Sequence, residues 1–514
     1  MSSSHGEGCR TFRWHYILSA MASVALSIWG AYATSIPNPD ASLYLRAAEY
    51  FSQGRFADGM AIYRWPFYSL LISGVMSLTG LSALLAAQVV NGVLTLGTTV
   101  TFVALAYRLT NGDRAFVTVA TIMIVFQPQL TELRSWVIRD NGYLCFFLVA
   151  VYFAVADNQQ PSLFRKLALL AALAAATLFR IEGFYLAALV AVYYILIRLR
   201  TVTQQASTIA VFVIAVSAIL PFMFGIWASG TFARWIEGKV LPQKMSIFGP
   251  AILERVDILE KDVLVLGSGH GWQAYVAIAV GLALIQIVRA LTPVYTLFGL
   301  FAFLPHRLLP QKANLTVVWF AAGQLPMLIL FTFMKALLDW RYAMGFALIA
   351  MFATVACATA SWRELLMGRP RAFLVFPSIV IAVAISWVLD TPKHGRLGQY
   401  TDAATWIREN VPATANIWMN EPRIAYFSGH TYRNVAGVTE ILSLPRPAFE
   451  KNGQIDVFVY ATGTADLKAP FPNGRPPKVV QTFFGTDGNF VQVFAMCRAM
   501  THCSPPSKPA PASQ

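Results

Sequence analysis

The sequence predicts a polytopic α-helical membrane protein of about eleven transmembrane helices with a small C-terminal α/β extracytoplasmic domain. Three observations predict it. Of the 514 residues, 57% are hydrophobic and 12% charged, a balance outside the range of a water-soluble globular chain of this size. Apolar runs of roughly 18 to 25 residues recur, the length a helix needs to cross hydrocarbon without presenting unpaired backbone groups to lipid. The net charge of +14 lies in short basic clusters between those runs, on every side assigned to the cytoplasm, so topology accounts for it and nucleic acid is not the implied partner.

Taken in order, residues 1–15 are polar and carry Arg10 and Arg13, which places the N-terminus in the cytoplasm; residues 16–33 then cross. Ala31-Tyr32-Ala33 has the small-x-small form of a signal-peptidase site, but the run is long for a signal segment, and cleaved or not, Asp40 lies outside. Over residues 43–56 the spacing of Leu43, Ala47, Tyr50 and Phe51, interleaved with Arg46, Glu49 and Gln53, predicts an amphipathic surface helix. Residues 66–79 read as a second interfacial or re-entrant segment, closed by Gly80. Crossings follow at 84–107, 115–130, 142–156, 167–179, 184–197 and 208–227, with a short outer turn at 131–140.

The outer segment 228–273 holds Lys239 and Lys244 and is long and polar enough to cover a substrate. The apolar run 274–304 is too long for one ordinary span and contains Arg289 and Pro293; its second half is expected to cross, its first half to be interfacial or tilted. Residues 315–334, 342–360 and 373–388 complete the crossings. The membrane domain thus covers residues 1–390, with outer loops at 34–83 and 228–273, and the odd number of spans exports residues 391–503. That remainder predicts a helix at 399–410, strands at 415–419, 455–460, 479–484 and 490–496, and a hairpin turn at Gly485-Thr486-Asp487-Gly488. Residues 504–514 are expected to be a disordered tail.

Charged residues are nearly absent from the predicted spans and gather at their outer ends: Asp40, Arg64, Arg139, Asp140, Arg180, Glu182, Lys335, Asp339 and Arg341. Acids and bases converging on one membrane face suit transfer from an anionic lipid carrier: an acid deprotonates an acceptor hydroxyl while a guanidinium neutralises a phosphate leaving group. Plainer readings stand beside this one. Asp40 is placed to cap the following helix, Arg139 with Asp140 to form an interfacial pair, and Arg341 to snorkel. Arg180 with Glu182 reads equally as a structural ion pair or a substrate contact, and Lys239 and Lys244 as solvated or phosphate-binding. Cys9, Cys145 and Cys357 are isolated, with no metal-ligand spacing; Cys497 and Cys503 are close enough in sequence for a disulfide, formed or not according to compartment.

Several stretches carry a resemblance: PDASLYLRAAEYFSQGRF, then WPFY at 65–68, SWVIRDNGY, LFRIEGF at 178–184, DWRYAMGFALIAMF and WIRENVP. In this order and on these sides of the membrane they resemble the GT-C class of integral-membrane glycosyltransferases, especially the branch of protein O-mannosyltransferases and the lipid A aminoarabinose transferase. The resemblance implies that Asp40 is the catalytic base and Asp140 the second acidic position. It also implies that Arg341 and Tyr342 face the donor phosphate cavity; Arg64, Tyr68, Arg139, Arg180 and Glu182, at the outer ends of neighbouring helices, are further candidate substrate or phosphate contacts. The expected reaction moves a sugar, with inversion, from a polyprenyl-phosphate donor to a lipid-linked glycan, lipid A or protein acceptor on the outer face of a bacterial inner membrane. Nothing in the sequence requires a cofactor; a divalent cation is compatible but not demanded. The alternative is a transporter or flippase for a lipid-linked saccharide, a class marked by internal repeats and polar sites at mid-membrane depth; neither is visible here.

Overall fold

The structure, a computed structural model of the chain, describes residues 4–33, 38–200, 250–264, 270–302, 311–335, 339–368, 372–390, 398–412, 415, 417–430, 432–434, 456–462, 478–485 and 490–496. Six described helices are long and apolar enough to cross a membrane, up to seven if one bent pair counts as a span, and three shorter apolar helices accompany them. The expected span 208–227, most of the loop 228–273 and the tail with Cys497 and Cys503 lie outside the described residues.

Helix α1 (Ser4–Ala33) is followed by the short helices α2 (Ala41–Ser52), α3 (Phe56–Ile62) and α4 (Phe67–Thr79). These three occupy the polar interruption that the sequence placed after the first span. Next, α5 (Ala83–Thr110) lies along α1, joined to it by hydroxyl pairs Ser23–Thr99 and Ser27–Thr95, each at 3.3 Å. Ser82 caps its start by accepting from the amide of Leu85, and Asn111 ends it in the left-handed region.

The run expected as a straight span over 115–130 is two helices bent by 45°, α6 (Arg114–Val125) and α7 (Pro128–Ser135). The bend falls where Pro128 begins α7, a first-turn position at which its missing N–H costs nothing. Most of the expected outer turn 131–140 is therefore helical. Arg134 on α7 is buried, and among the described residues its hydrogen bonds go to the hydroxyls of Thr131 and Thr99. Helices α8 (Asp140–Gln159), α9 (Leu163–Phe179) and α10 (Glu182–Arg200) follow, with α8 packed between α5 and α9.

Beyond α11 (Pro250–Ile258) and a π-helical turn at Leu259–Val263 comes a correction. In the run 274–304 it is the first half, α12 (Gly271–Leu291), that has the length and hydropathy of a span; the second half is the short helix α13 (Pro293–Ala302). Thr292, at φ 70°, and Pro293 break the run early and leave the long piece before the break. Then come α14 (Gln311–Ala322), α15 (Gln324–Lys335), a 3₁₀ turn at Trp340–Ala343, α16 (Met344–Leu366) and α17 (Ala372–Asp390). Helix α16 is among the most buried in the bundle, and Phe352 on it stacks against Phe102 of α5 with ring centroids 4.3 Å apart.

The C-terminal part is an α/β unit. Helix α18 (Gly398–Asn410) and α19 (Pro422–Ser428) pack on a five-stranded sheet of β1 (Ile417–Met419), β2 (Tyr432–Asn434), β3 (Asp456–Thr462), β4 (Lys478–Phe484) and β5 (Phe490–Met496), in the order β2-β1-β3-β5-β4. The β1 strand is parallel to β2 and β3, whereas β5 is antiparallel to β3 and β4. The predicted helix and four strands are present; α19 and β2 were not foreseen. Ala403, Ile407, Ile417, Met419, Ile424, Val459 and Val493 form a core separate from that of the bundle.

Candidate active site

Asp40 stands at the start of α2, and its side chain does not cap the helix. Its Oδ2 instead accepts from Arg341 Nη1 at 2.7 Å, 301 residues away in sequence. The Asp40 side chain remains 42% exposed, so one carboxylate combines a guanidinium contact with access to water. Arg341 sits in the 3₁₀ turn before α16; its Nε faces Asp339 at 3.4 Å but is a buried donor with no hydrogen-bond acceptor. This guanidinium retains donor capacity for a third partner.

Beside that pair lies a drier one. Arg180, 5% exposed at its side chain, donates through Nη1 to Asp140 and through Nη2 and Nε to Glu182, the Nε bond at 3.2 Å. Asp140 opens α8 and Glu182 opens α10, positions where the helix dipole favours an acid. Burial works against the charge of Arg180, but the two carboxylates outweigh it and hold its proton well above the usual arginine range. The turn that presents Arg180 depends on Gly183. The Gly183 amide donates to the Arg180 carbonyl at 2.9 Å, and a Cβ there would strike the backbone of Thr177. Tyr342 ties the two groups together: Arg180 Cζ lies 4.4 Å and Arg341 Cζ 5.4 Å from its ring centroid.

Arg139 differs from both. Among the described residues no carboxylate forms an ion pair or hydrogen bond with it, although Glu182 is near enough to feel its charge; it lies 5.7 Å from the ring centroid of Tyr63. Tyr63 in turn meets Tyr44 edge-on at 4.8 Å, and Tyr44 meets Tyr68 at 5.2 Å. Burial raises the phenol pKa of Tyr44 and Tyr63, so this wall stays neutral at physiological pH. Tyr68 is fully buried and donates to Asn91 Oδ1 at 2.7 Å, which makes it part of the wall and not a free contact.

The structure therefore joins Asp40, Arg139, Asp140, Arg180, Glu182, Arg341 and Tyr342 at one end of the bundle, with Tyr68 behind them. Arg64 is exposed and has no ion pair among the described residues; Lys239 and Lys244 lie outside the described residues. Among the described residues no group of three or more His, Cys, Asp or Glu side chains is arranged to hold a metal. Sequence reasoning missed Tyr44 and Tyr63. Tyr44 lies one turn after Asp40 on the same helix, and that spacing was the available signal.

No protein-family model matches the sequence, and no curated protein does either. Solved structures do match. ArnT from Cupriavidus metallidurans in the apo state aligns at a TM-score of 0.52 and 13% identity, over 94% of this chain and 98% of that one. The same protein bound to undecaprenyl phosphate aligns at 0.51 and 14% identity, over 93% and 97%. The chain shares its fold with these structures over 94% of its length, the GT-C-like architecture that its motifs resemble.

Proposed function

We propose that this chain is a membrane glycosyltransferase that moves a sugar from a polyprenyl-phosphate donor to an acceptor hydroxyl on the outer face of the inner membrane, with Asp40 as general base. The carrying observation is the Asp40–Arg341 contact, a half-exposed carboxylate on a guanidinium that still has an unused buried donor. ArnT was solved with undecaprenyl phosphate bound, and the shared fold supports a donor of that chemistry.

In this reading the donor phosphate takes Arg341 from Asp40 and also engages Arg139, the site guanidinium that no described carboxylate holds. Asp40, released, accepts the proton of the acceptor hydroxyl as that oxygen bonds to the anomeric carbon. The carbon–oxygen bond to phosphate breaks on the opposite face, the phosphate leaves with the electron pair, and the anomeric centre inverts. Lys239 and Lys244 are proposed as additional phosphate contacts, Arg64 as a contact at the exposed rim. To Asp140 and Glu182 we assign positioning of Arg180 beneath Tyr342, because both carboxylates are already committed to that guanidinium. The acceptor is a lipid-linked glycan, lipid A or a protein hydroxyl.

The test is Asp40→Asn. Loss of the general base is expected to lower transfer by about a hundredfold or more. The readout is mass spectrometry of surface glycolipids and glycoproteins from cells carrying the wild-type chain, the variant or neither. A native product level from well-inserted Asp40→Asn protein sinks the mechanism. Accumulation of an unmodified saccharide across the membrane, with no bond made, would instead favour the transporter.

A further inference from the structure

The helix that carries Asp40 is held from two sides by different parts of the chain. One side of α2, with Ala41, Tyr44, Leu45 and Ala48, is buried on the bundle, and Phe51 packs against Phe56 and Gly59 of α3. Arg46 and Glu49, of opposite charge and one turn apart, do not pair with each other. Arg46 Nη2 donates to the carbonyl of His430 at 3.2 Å, and Glu49 Oε1 accepts from the hydroxyl of Tyr426. Both partners belong to the C-terminal α/β unit. The two contacts fix two points on α2, one turn apart, against one short segment of that unit.

That segment is itself rigidly held. Tyr426 lies in α19, and Gly429, at φ 78°, turns the chain so that His430 follows directly. The His430 ring is buried between the carbonyl oxygens of Ser428 and Val411, each at 3.1 Å. Arg423 on α19 is buried, bonded to Glu421 and 4.4 Å from the ring centroid of Tyr400 on α18. A continuous run of fixed groups therefore leads from the core of the α/β unit to the outward side of α2. Along α2 the tie at Glu49 is about 13 Å from Asp40, at 1.5 Å per residue.

We propose that Glu49 and Tyr426 are positioning residues: the C-terminal unit, through them and through Arg46 and His430, sets the roll of α2 and hence where the Asp40 carboxylate stands. Helix α2 packs on α3, α4 and α5 mainly through small and apolar side chains, contacts that are not directional, and among the described residues the Arg341 contact is the one side-chain bond that aims the Asp40 carboxylate. The inference rests on the base role proposed above for Asp40; neither tie touches the reacting atoms.

The experiment uses the full chain in lipid nanodiscs, with Tyr426→Phe, Glu49→Ala, Glu49→Gln and the Tyr426→Phe/Glu49→Ala pair. Three quantities are read: amide exchange over residues 41–52, affinity for undecaprenyl phosphate, and product yield in cells per inserted protein. Tyr426→Phe and Glu49→Ala should each speed exchange in α2 about tenfold, the change that one hydrogen bond to a charged group supports. They should lower yield by a similar factor and leave undecaprenyl phosphate affinity and exchange in α8 and α16 unchanged. Glu49→Gln, whose amide oxygen still accepts from the Tyr426 hydroxyl, should stay near wild type, and the double variant should be no worse than either single. Unchanged exchange in α2, or unchanged yield while Asp40→Asn is inactive, overturns the inference; so does additivity in the double variant. A native yield from Asp40→Asn overturns the catalytic reading instead, and the exchange measurement still decides whether the C-terminal unit restrains α2.

Discussion

Arg180 and Arg139 bear the same group within one cluster, yet removing them should have opposite consequences. Arg180 neutralises two carboxylates, with side-chain exposures of 5% for Asp140 and 14% for Glu182. Arg180→Gln strands both as buried unpaired charges, which costs about 3–5 kcal/mol. Thermal unfolding in detergent, or failure to elute as a folded monodisperse species, should report it. Arg139 has no such duty: it faces Tyr63, and no described carboxylate forms an ion pair or hydrogen bond with it. Arg139→Gln should fold normally and lose roughly tenfold to a hundredfold in undecaprenyl phosphate affinity, the worth of one charge-assisted contact. Equal affinity in the variant and wild type would remove Arg139 from the phosphate site. Which arginine belongs to which class was not readable from the sequence, where Arg180–Glu182 and Arg139–Asp140 looked alike. The pairing that separates them, Arg180 with Asp140, spans 40 residues and two helix starts.

At the scale of elements, the turn between α9 and α10 shows how a weak motif acquires a physical meaning. The stretch LFRIEGF keeps Gly183 because α10 begins against the last turn of α9, leaving no room for a Cβ beside Thr177. Gly183→Ala should destabilise by about 1–3 kcal/mol through overpacking and displace the Arg180–Glu182 turn. Gly74→Ala, within α4 and with open space around it, should be neutral or stabilising by up to about 1 kcal/mol. Paired melting curves of the two variants check both statements, and equal shifts would refute the packing argument. The long, uniformly apolar helices α5, α8, α12 and α16 left a clear mark in the sequence as hydrophobic runs. Breaks within such runs did not, because a bend costs few residues and leaves hydropathy unchanged. Pro128 and the Thr292-Pro293 pair were the signals, and each was submerged in an otherwise continuous apolar stretch. Helix α19 was missed for a related reason: seven residues make too short a period to register, although Glu421 and Pro422 form a proper start.

For the whole molecule, the gathering of charge at the ends of the apolar runs, Asp40 among it, was legible in the sequence, because charge is expensive in hydrocarbon and was nearly absent within the runs. The partners within that end were not legible, since nothing in a linear sequence brings residue 341 to residue 40. The same reasoning fixes a sidedness that can be measured. Asp40, Asp140, Arg180 and Arg341 share one end, while Arg165 and Lys166, in the first turn of α9, lie at the opposite end of that helix from Arg180. If basic clusters mark the cytoplasmic face, the site is extracytoplasmic. In a chain whose five cysteines are replaced by serine, Gln53→Cys at the exposed end of α2 should react with a membrane-impermeant maleimide in intact cells. Lys166→Cys, exposed at the opposite end, should react only after lysis. The reverse pattern would put the carboxylate in the cytoplasm and remove the outer-leaflet donor. Labelling of both in intact cells would mean that the helices between them do not separate two compartments.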